Sequence, residues 1–369
     1  VLVAMPRTST RDPQSLLYAF GSWLRTETNA VRMPTVVSHG GPTGAGLSSD
    51  TLLLDVTIDT GSGPTTNSVV LRLPPPDDAF PVFESYDFAL QVEAMRIVRL
   101  KCNAPVPKIL WSDTSGSAIG VPFFVMERID GIVPPDVPPY TWGSWVTELD
   151  DAQITTMTLD SIATLAAIHS VQPSPMLVDA ERSDIPDSTS LERHIARLRR
   201  HFEWARNNRV YPSIERGFTI LGSTVPLIDR EDVLIWGDAR IGNILWNDAR
   251  AVAIIDWEMT TVGPRELDVA WLSYFATTFQ RSAEGRNVRG VPTLLRRDEI
   301  VSGYERVSGV SLQSFDWFLA LCGLHQSIIG IRTSDRSVAF GEWAQPKHPE
   351  APIHSIPTLN ALLDQLESD

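Results

Sequence analysis

Trp236-Gly237-Asp238-Ala239-Arg240-Ile241-Gly242-Asn243, followed by Ile254-Ile255-Asp256-Trp257-Glu258 and Gly263-Pro264-Arg265-Glu266-Leu267-Asp268-Val269-Ala270-Trp271, is the stretch on which the reading of this chain turns. Short apolar runs at 233–236, 244–246 and 252–255 alternate there with polar residues and predict short strands that line a site. Taken singly, Gly237-Asp238 and Asp238-Ala239 are turn dipeptides and Asp256 caps a strand. Taken together, Asp238, Asn243 and Asp256 carry the oxygens that phosphoryl transfer requires: a carboxylate near the attacking hydroxyl and hard ligands for magnesium on nucleotide phosphates.

Upstream, residues 15–24 show helical spacing, and a glycine-rich stretch at 40–46 precedes two strand-like runs, 51–58 and 68–73, joined by the turn sequence Gly61-Ser62-Gly63-Pro64. Phe88, Val92, Met95 and Val98 then lie on one face of a helix that carries Glu93. Short strands are expected at 108–111 and 122–129, which closes a small sheet-plus-helix lobe near residue 129. Beyond a proline-rich loop at 134–139, residues 157–169 and 191–206 read as amphipathic helices, the second rich in arginine and histidine.

The 369 residues leave room for two domains, and 43% hydrophobic with 21% charged residues is ordinary for a globular protein. A net charge of −14 disfavours a broad phosphate-gripping face, so no nucleic-acid partner is expected. The two cysteines, Cys102 and Cys322, form no zinc or disulfide pattern. No apolar run is long enough to span a membrane and the opening Val-Leu-Val-Ala-Met is too short for a secretory core, so a cytoplasmic protein without a membrane partner is expected. No His-Glu-x-x-His, Gly-x-Ser-x-Gly, Walker or dinucleotide motif is present.

An Asp, an Asn five positions on, and a hairpin ending in an apolar-flanked Asp follow the order of kinase catalytic and metal loops. In these motifs the sequence resembles the aminoglycoside phosphotransferase family of the protein-kinase-like fold, whose signature is His-Gly-Asp, four residues, Asn, then a hydrophobic strand ending in Ile-Asp-Trp or similar. It is especially similar to the actinobacterial branch of that family. The resemblance runs from the glycine-rich segment to about Trp271 and more vaguely beyond. It implies an α+β, two-lobed fold: a small antiparallel-sheet N-lobe over residues 1–129 and a larger, mainly helical C-lobe over 130–369, with ATP between them.

The same resemblance implies Mg2+-dependent transfer of the ATP γ-phosphate to a hydroxyl of a small-molecule acceptor, aminoglycoside-like, with Asp238 as the base and Asn243 and Asp256 as magnesium ligands. Arg240 would reach the γ-phosphate; a surface pair with Asp248 is the equally open alternative. Ser48 and Ser49, with nearby backbone amides, would cradle phosphates. Arg72 stands where kinases place a strand lysine, Glu93 matches the helix carboxylate that pairs with it, and the backbone of Met126, Glu127 and Arg128 would hold adenine. Trp236, in place of the signature histidine, and Arg72, in place of lysine, depart from the family pattern. Two alternatives stay open: a catalytically inactive nucleotide-binding regulatory protein, and a kinase for another acceptor such as a hydroxyacyl-CoA, for which the helix of Arg193, Arg197, Arg199 and Arg200 is equally a basic groove or a solvated face. Asp268 is expected to be scaffold, Glu258 a supporting residue, and His169 and His194 to be core or substrate-lobe residues.

Overall fold

The computed structural model describes residues 12–41, 50–76, 79–182, 185 and 188–368. The chain divides into two compact units: the described residues up to Val92 with Pro107–Ile129, and Glu93–Val106 with those from Asp130 onward.

The first unit is built on a five-stranded antiparallel sheet of order β1-β2-β3-β5-β4, with β1 Thr35–Ser38, β2 Asp50–Asp59, β3 Pro64–Leu73, β4 Ile109–Asp113 and β5 Phe123–Glu127. The hairpin anticipated from the β-branched runs is longer than expected, pairing Asp50 with Leu73 and Asp59 with Pro64. Its turn holds Gly61 and Gly63 at φ of +103° and +100°, a region that costs glycine little. Asp59 Oδ1 accepts from the Gly61 amide at 3.0 Å and fixes the turn. Helix α1, Pro13–Glu27, starts where Asp12 accepts from the Ser15 amide, with proline at its first position. Its Phe20 and Leu24 pack on Leu54, Val56, Val69, Leu71, Phe123 and Val125, the alternate residues of the central strands, to form this unit's core. Strand β1 has no counterpart in the sequence reading. It is four residues long and largely exposed, so it carries no clear hydrophobic alternation.

Helix α2, Phe88–Lys101, buries the four apolar residues expected of it, and the division between the units falls within it, at Val92/Glu93. The second unit is mainly helical: α3 Asp151–His169, α4 Pro175–Arg182, α5 Ser190–Arg206, α6 Pro212–Ser223, α7 Glu266–Glu284, α8 Arg297–Ser308, α9 Phe315–Ala339 and α10 Ile356–Ser368. Helix α9 packs against α5, α6, α7 and α10, and its buried run from Trp317 to His325 leaves it almost no solvent face there. Two short ladders complete the unit: β6 Val233–Ile235 with β9 Thr261–Gly263, and β7 Ile244–Asn247 with β8 Arg250–Ile254. Among the described residues no helix is long and apolar enough to cross a membrane.

Three arginines of α5, Arg193, Arg197 and Arg199, pair with carboxylates of neighbouring helices. Arg193 is buried and pairs in fork geometry with buried Glu181, at 2.8 and 2.7 Å. Arg197 reaches the same carboxylate at 3.5 Å, and Arg199 bonds Glu215 at 2.6 Å while its guanidinium lies 3.7 Å from the centre of the Phe218 ring. These charges are spent on holding α4, α5 and α6 together.

Candidate active site

Strand β6 delivers the chain to Gly237, where φ is +98° and a Cβ would lie 2.2 Å from the Met259 carbonyl oxygen. Only glycine passes so close to another backbone. Asp238 follows, then a single 3-10 turn at Ile241–Asn243 that the Asn243 amide closes onto the Arg240 carbonyl at 3.0 Å. The β7–β8 hairpin returns the chain so that the Ile255 amide donates to the Asn243 carbonyl at 3.0 Å, which brings Asp256 beside Asn243. Asp256 itself is left-handed, with φ of +63°, a conformation that Asp tolerates better than most residues with a side chain.

Asp238 is the centre of the arrangement. Its Oδ1 accepts from the Trp271 indole at 2.7 Å and its Oδ2 from Asn243 Nδ2 at 2.6 Å, while Arg240 Nε lies 3.0 and 3.1 Å from the two oxygens. Asn243 Nδ2 also donates to the Asp238 carbonyl at 3.0 Å. With both its amide donors spent on Asp238, the oxygen of the Asn243 side chain remains as an acceptor. Arg240 pairs with Asp136 as well as Asp238, not with Asp248. Burial alone would lower the Arg240 pKa, but the carboxylates of Asp238 and Asp136, with that of Asp256 adding, outweigh it and the net direction is upward. The guanidinium is therefore a fixed positive charge beside Asp238. Beside it lies a cavity of about 10 Å³, room for roughly one water, walled by Asp136, Tyr140, Arg240, Phe275 and Phe279.

A buried polar chain holds this loop. Asp268, at the start of α7, has no exposed surface and accepts from the amides of Trp236 at 2.7 Å and Gly237 at 2.8 Å. His169 Nε2 lies 3.0 Å from Asp268 Oδ2, and His169 Nδ1 lies 2.7 Å from the Tyr304 hydroxyl. One tautomer satisfies both contacts: Tyr304 donates to Nδ1 and Nε2–H donates to Asp268. Asp268 is thus scaffold, as expected, and His169 is a satisfied core residue. Trp236 answers the departure noted in the sequence: its indole N–H bridges to the carbonyls of Ile255 at 3.0 Å and Asp256 at 3.2 Å, tying the Asp238 loop to the Asp256 turn. The indole does a hydrogen-bonding job that an imidazole could also do. Sequence reading missed the roles of Trp271 and Asp136, which meet Asp238 and Arg240 from 33 and 104 positions away.

In the first unit, Ser48 and Ser49 lie outside the described residues. Arg72 is half-buried on β3, opposite Thr51, to whose hydroxyl its Nη1 donates at 3.2 Å. Glu93 is half-buried on α2. Met126 and Glu127 end β5, and the amides of Glu127 and Arg128 donate within the sheet, to Lys108 at 2.9 Å and Ser68 at 3.2 Å. Those two amides are committed before any ligand arrives.

Comparison with known proteins places the arrangement. Residues 43–306 match the phosphotransferase enzyme family. The chain belongs to that family. This phosphotransferase is 24% identical over 319 residues to the human acyl-CoA dehydrogenase family member 11, covering 81% of this chain and 39% of that protein. It thus spans about two fifths of the length of the curated relatives at the head of the comparison. Among solved structures, a candidate aminoglycoside phosphotransferase from Ralstonia eutropha superposes with a TM-score of 0.65 at 19% identity, over 95% of this chain and 98% of that one. A thermostable mutant of aminoglycoside phosphotransferase APH(4)-Ia, in ternary complex with AMP-PNP and hygromycin B, gives 0.53 at 14% identity, over 95% and 100%. The fold is the two-lobed, kinase-like α+β fold, with a small antiparallel sheet in one unit and helices dominating the other.

Proposed function

We propose that this phosphotransferase moves the γ-phosphate of ATP to a hydroxyl group of a small molecule in a Mg2+-dependent reaction. The observation that carries the reading is the Asp238 carboxylate, gripped by Asn243, Arg240 and Trp271 on a loop tied directly to the Asp256 turn. In the reaction, the acceptor oxygen forms a bond to the γ-phosphorus as the bond from that phosphorus to the bridging oxygen of ADP breaks, and the hydroxyl proton passes to Asp238. Arg240 balances charge on the transferring group, a task for which a guanidinium held charged by two carboxylates is suited. Asn243 and Asp256 offer the hard oxygen donors that would hold magnesium, which when bound neutralises phosphate charge.

Arg72 and Glu93 would serve the nucleotide phosphates together with Ser48 and Ser49. The main chain of Met126, Glu127 and Arg128 would take the adenine edge, using groups other than the two amides already donating within the sheet. A cytoplasmic location and an aminoglycoside-like acceptor, the latter the suggestion of the family resemblance and its actinobacterial branch, complete this reading. A second acceptor class is favoured by the names of the relatives: a hydroxyacyl thioester of CoA suits a chain similar to part of acyl-CoA dehydrogenase family member 11. Two of the α5 arginines that could meet such a thioester, Arg193 and Arg199, are held by Glu181 and Glu215.

The test is incubation with Mg-ATP and a panel of aminoglycosides, hydroxyacyl-CoA esters and other hydroxylated metabolites, read by mass gain of one phosphoryl group. Asp238→Asn, of equal size and still able to accept hydrogen bonds, should lower any observed turnover about 10²- to 10⁴-fold in a chain that still unfolds cooperatively. Binding of nucleotide with no product across the panel would favour the inactive regulatory alternative instead.

A further inference from the structure

The Arg240 guanidinium is shared between two carboxylates that lie far apart in sequence. Its single Nε–H points between the two oxygens of Asp238, at 3.0 and 3.1 Å, and its Nη1 donates to Asp136 Oδ2. A guanidinium facing one carboxylate ordinarily closes a two-pronged fork with it, spending two N–H groups. Here Asp238 receives only one prong, and Nη2 has no hydrogen-bond acceptor among the described residues.

The packing favours this sharing. Asp136 sits in the proline-rich loop before the short 3-10 turn Tyr140–Trp142, with its side chain 39% exposed against 16% for Arg240 and 15% for Asp238. A side chain at position 242 would press on both groups. A Cβ there would lie 2.5 Å from Arg240 Nη1 and 2.8 Å from Asp136 Oδ1. The Phe275 ring, 5.5 Å from the guanidinium carbon, backs the other side.

We propose that Asp136 is a positioning residue of the phosphotransfer site: by holding Nη1 it keeps Arg240 from folding into a full fork on Asp238, and it leaves Nη2 for an oxygen of the γ-phosphoryl group. This rests on the reading of the site given above. Arg240 touches the nucleotide; Asp136 acts only through Arg240.

The test compares the dissociation constants of Mg-AMP-PNP and Mg-ADP on the full chain by calorimetry, because only the first presents a γ-phosphoryl group. Arg240→Ala should weaken AMP-PNP by about 10-fold or more and leave ADP within about twofold, the loss of one charge-assisted hydrogen bond. Asp136→Ala should reproduce part of that selective loss, about 3- to 10-fold, and Asp136→Glu should recover it. Asp136→Asn, of equal size, keeps the measurement possible should the alanine variant fail to fold, and should show the same selective loss. A ratio of the two constants that stays at its original value or favours AMP-PNP more strongly in the Asp136 variants overturns the proposal, as does equal weakening of both nucleotides. If the unaltered chain binds neither nucleotide, the underlying reading fails and takes this role with it; selective binding that ignores Asp136 sinks the role alone.

Discussion

Replacing Asp268 by alanine should destabilise the second unit far more than a typical surface change. Asp268 is wholly buried and accepts three hydrogen bonds, from the Trp236 and Gly237 amides at 2.7 and 2.8 Å and from His169 at 3.0 Å. Alanine leaves those two amides without an acceptor, and each orphaned buried donor costs about 1–3 kcal/mol, so about 2–6 kcal/mol in all. A water admitted to the vacated space would pull the value toward the lower end. Against a typical total of about 5–15 kcal/mol, this is a large share. Asp268→Asn keeps one acceptor oxygen but turns an NH2 group toward one of the donors, so it should recover only part of the loss. The assay is urea unfolding followed by far-UV circular dichroism, with the slope m checked for constancy so that the midpoint reports stability alone. A loss below about 1 kcal/mol for Asp268→Ala would refute the claim that this carboxylate holds the loop.

Two further outcomes follow from the same geometry. Gly237→Ala should lower the unfolding midpoint severely and abolish phosphotransfer together, because the methyl group would meet the Met259 carbonyl at 2.2 Å in a backbone conformation of φ +98°; a variant of unchanged stability would contradict the close approach. His194 has a pKa depressed from 6.5 to about 3, by burial and secondarily by Arg197, and His325 is depressed well below 6.5 by burial, then by His194 and His201. The unfolded chain then binds more protons than the folded one between about pH 6.5 and 3, so stability is present above 6.5 and is lost as pH falls through that window. For His194 the loss at pH 5 is about 1–2 kcal/mol, and a His194→Gln variant should show a shallower fall in urea midpoint between pH 7 and 5. An unchanged slope in that variant would remove His194 as a cause.

Much of the fold could be read along the chain because its signals are local. The apolar face of α2 repeats at helical spacing, the β2–β3 hairpin announces itself by β-branched runs around a glycine turn, and the short strands near Asp238 stand out against polar neighbours. Strand β1 escaped because four mostly exposed residues bear no alternation, and the pairing of Arg193 and Arg199 was not legible because their carboxylate partners, Glu181 and Glu215, belong to α4 and α6.

The order Asp238, Asn243, Asp256 was legible for the same reason: a loop, a one-turn helix and a hairpin bring those residues together through bonds spanning only a few positions. What stands around them was not. Trp271 on Asp238, Asp136 on Arg240, and the Arg265–Tyr304–His169–Asp268 chain beneath the loop join residues from separate elements, and no periodicity links their positions. Sequence alone singled out the candidates Asp238, Asn243 and Asp256, since turn residues and short apolar runs act over short stretches of chain. Tertiary structure decided which partners each polar side chain meets, because those partners sit on separate elements, α3, α7, α8 and the loop of Asp136, that come together only when the chain packs.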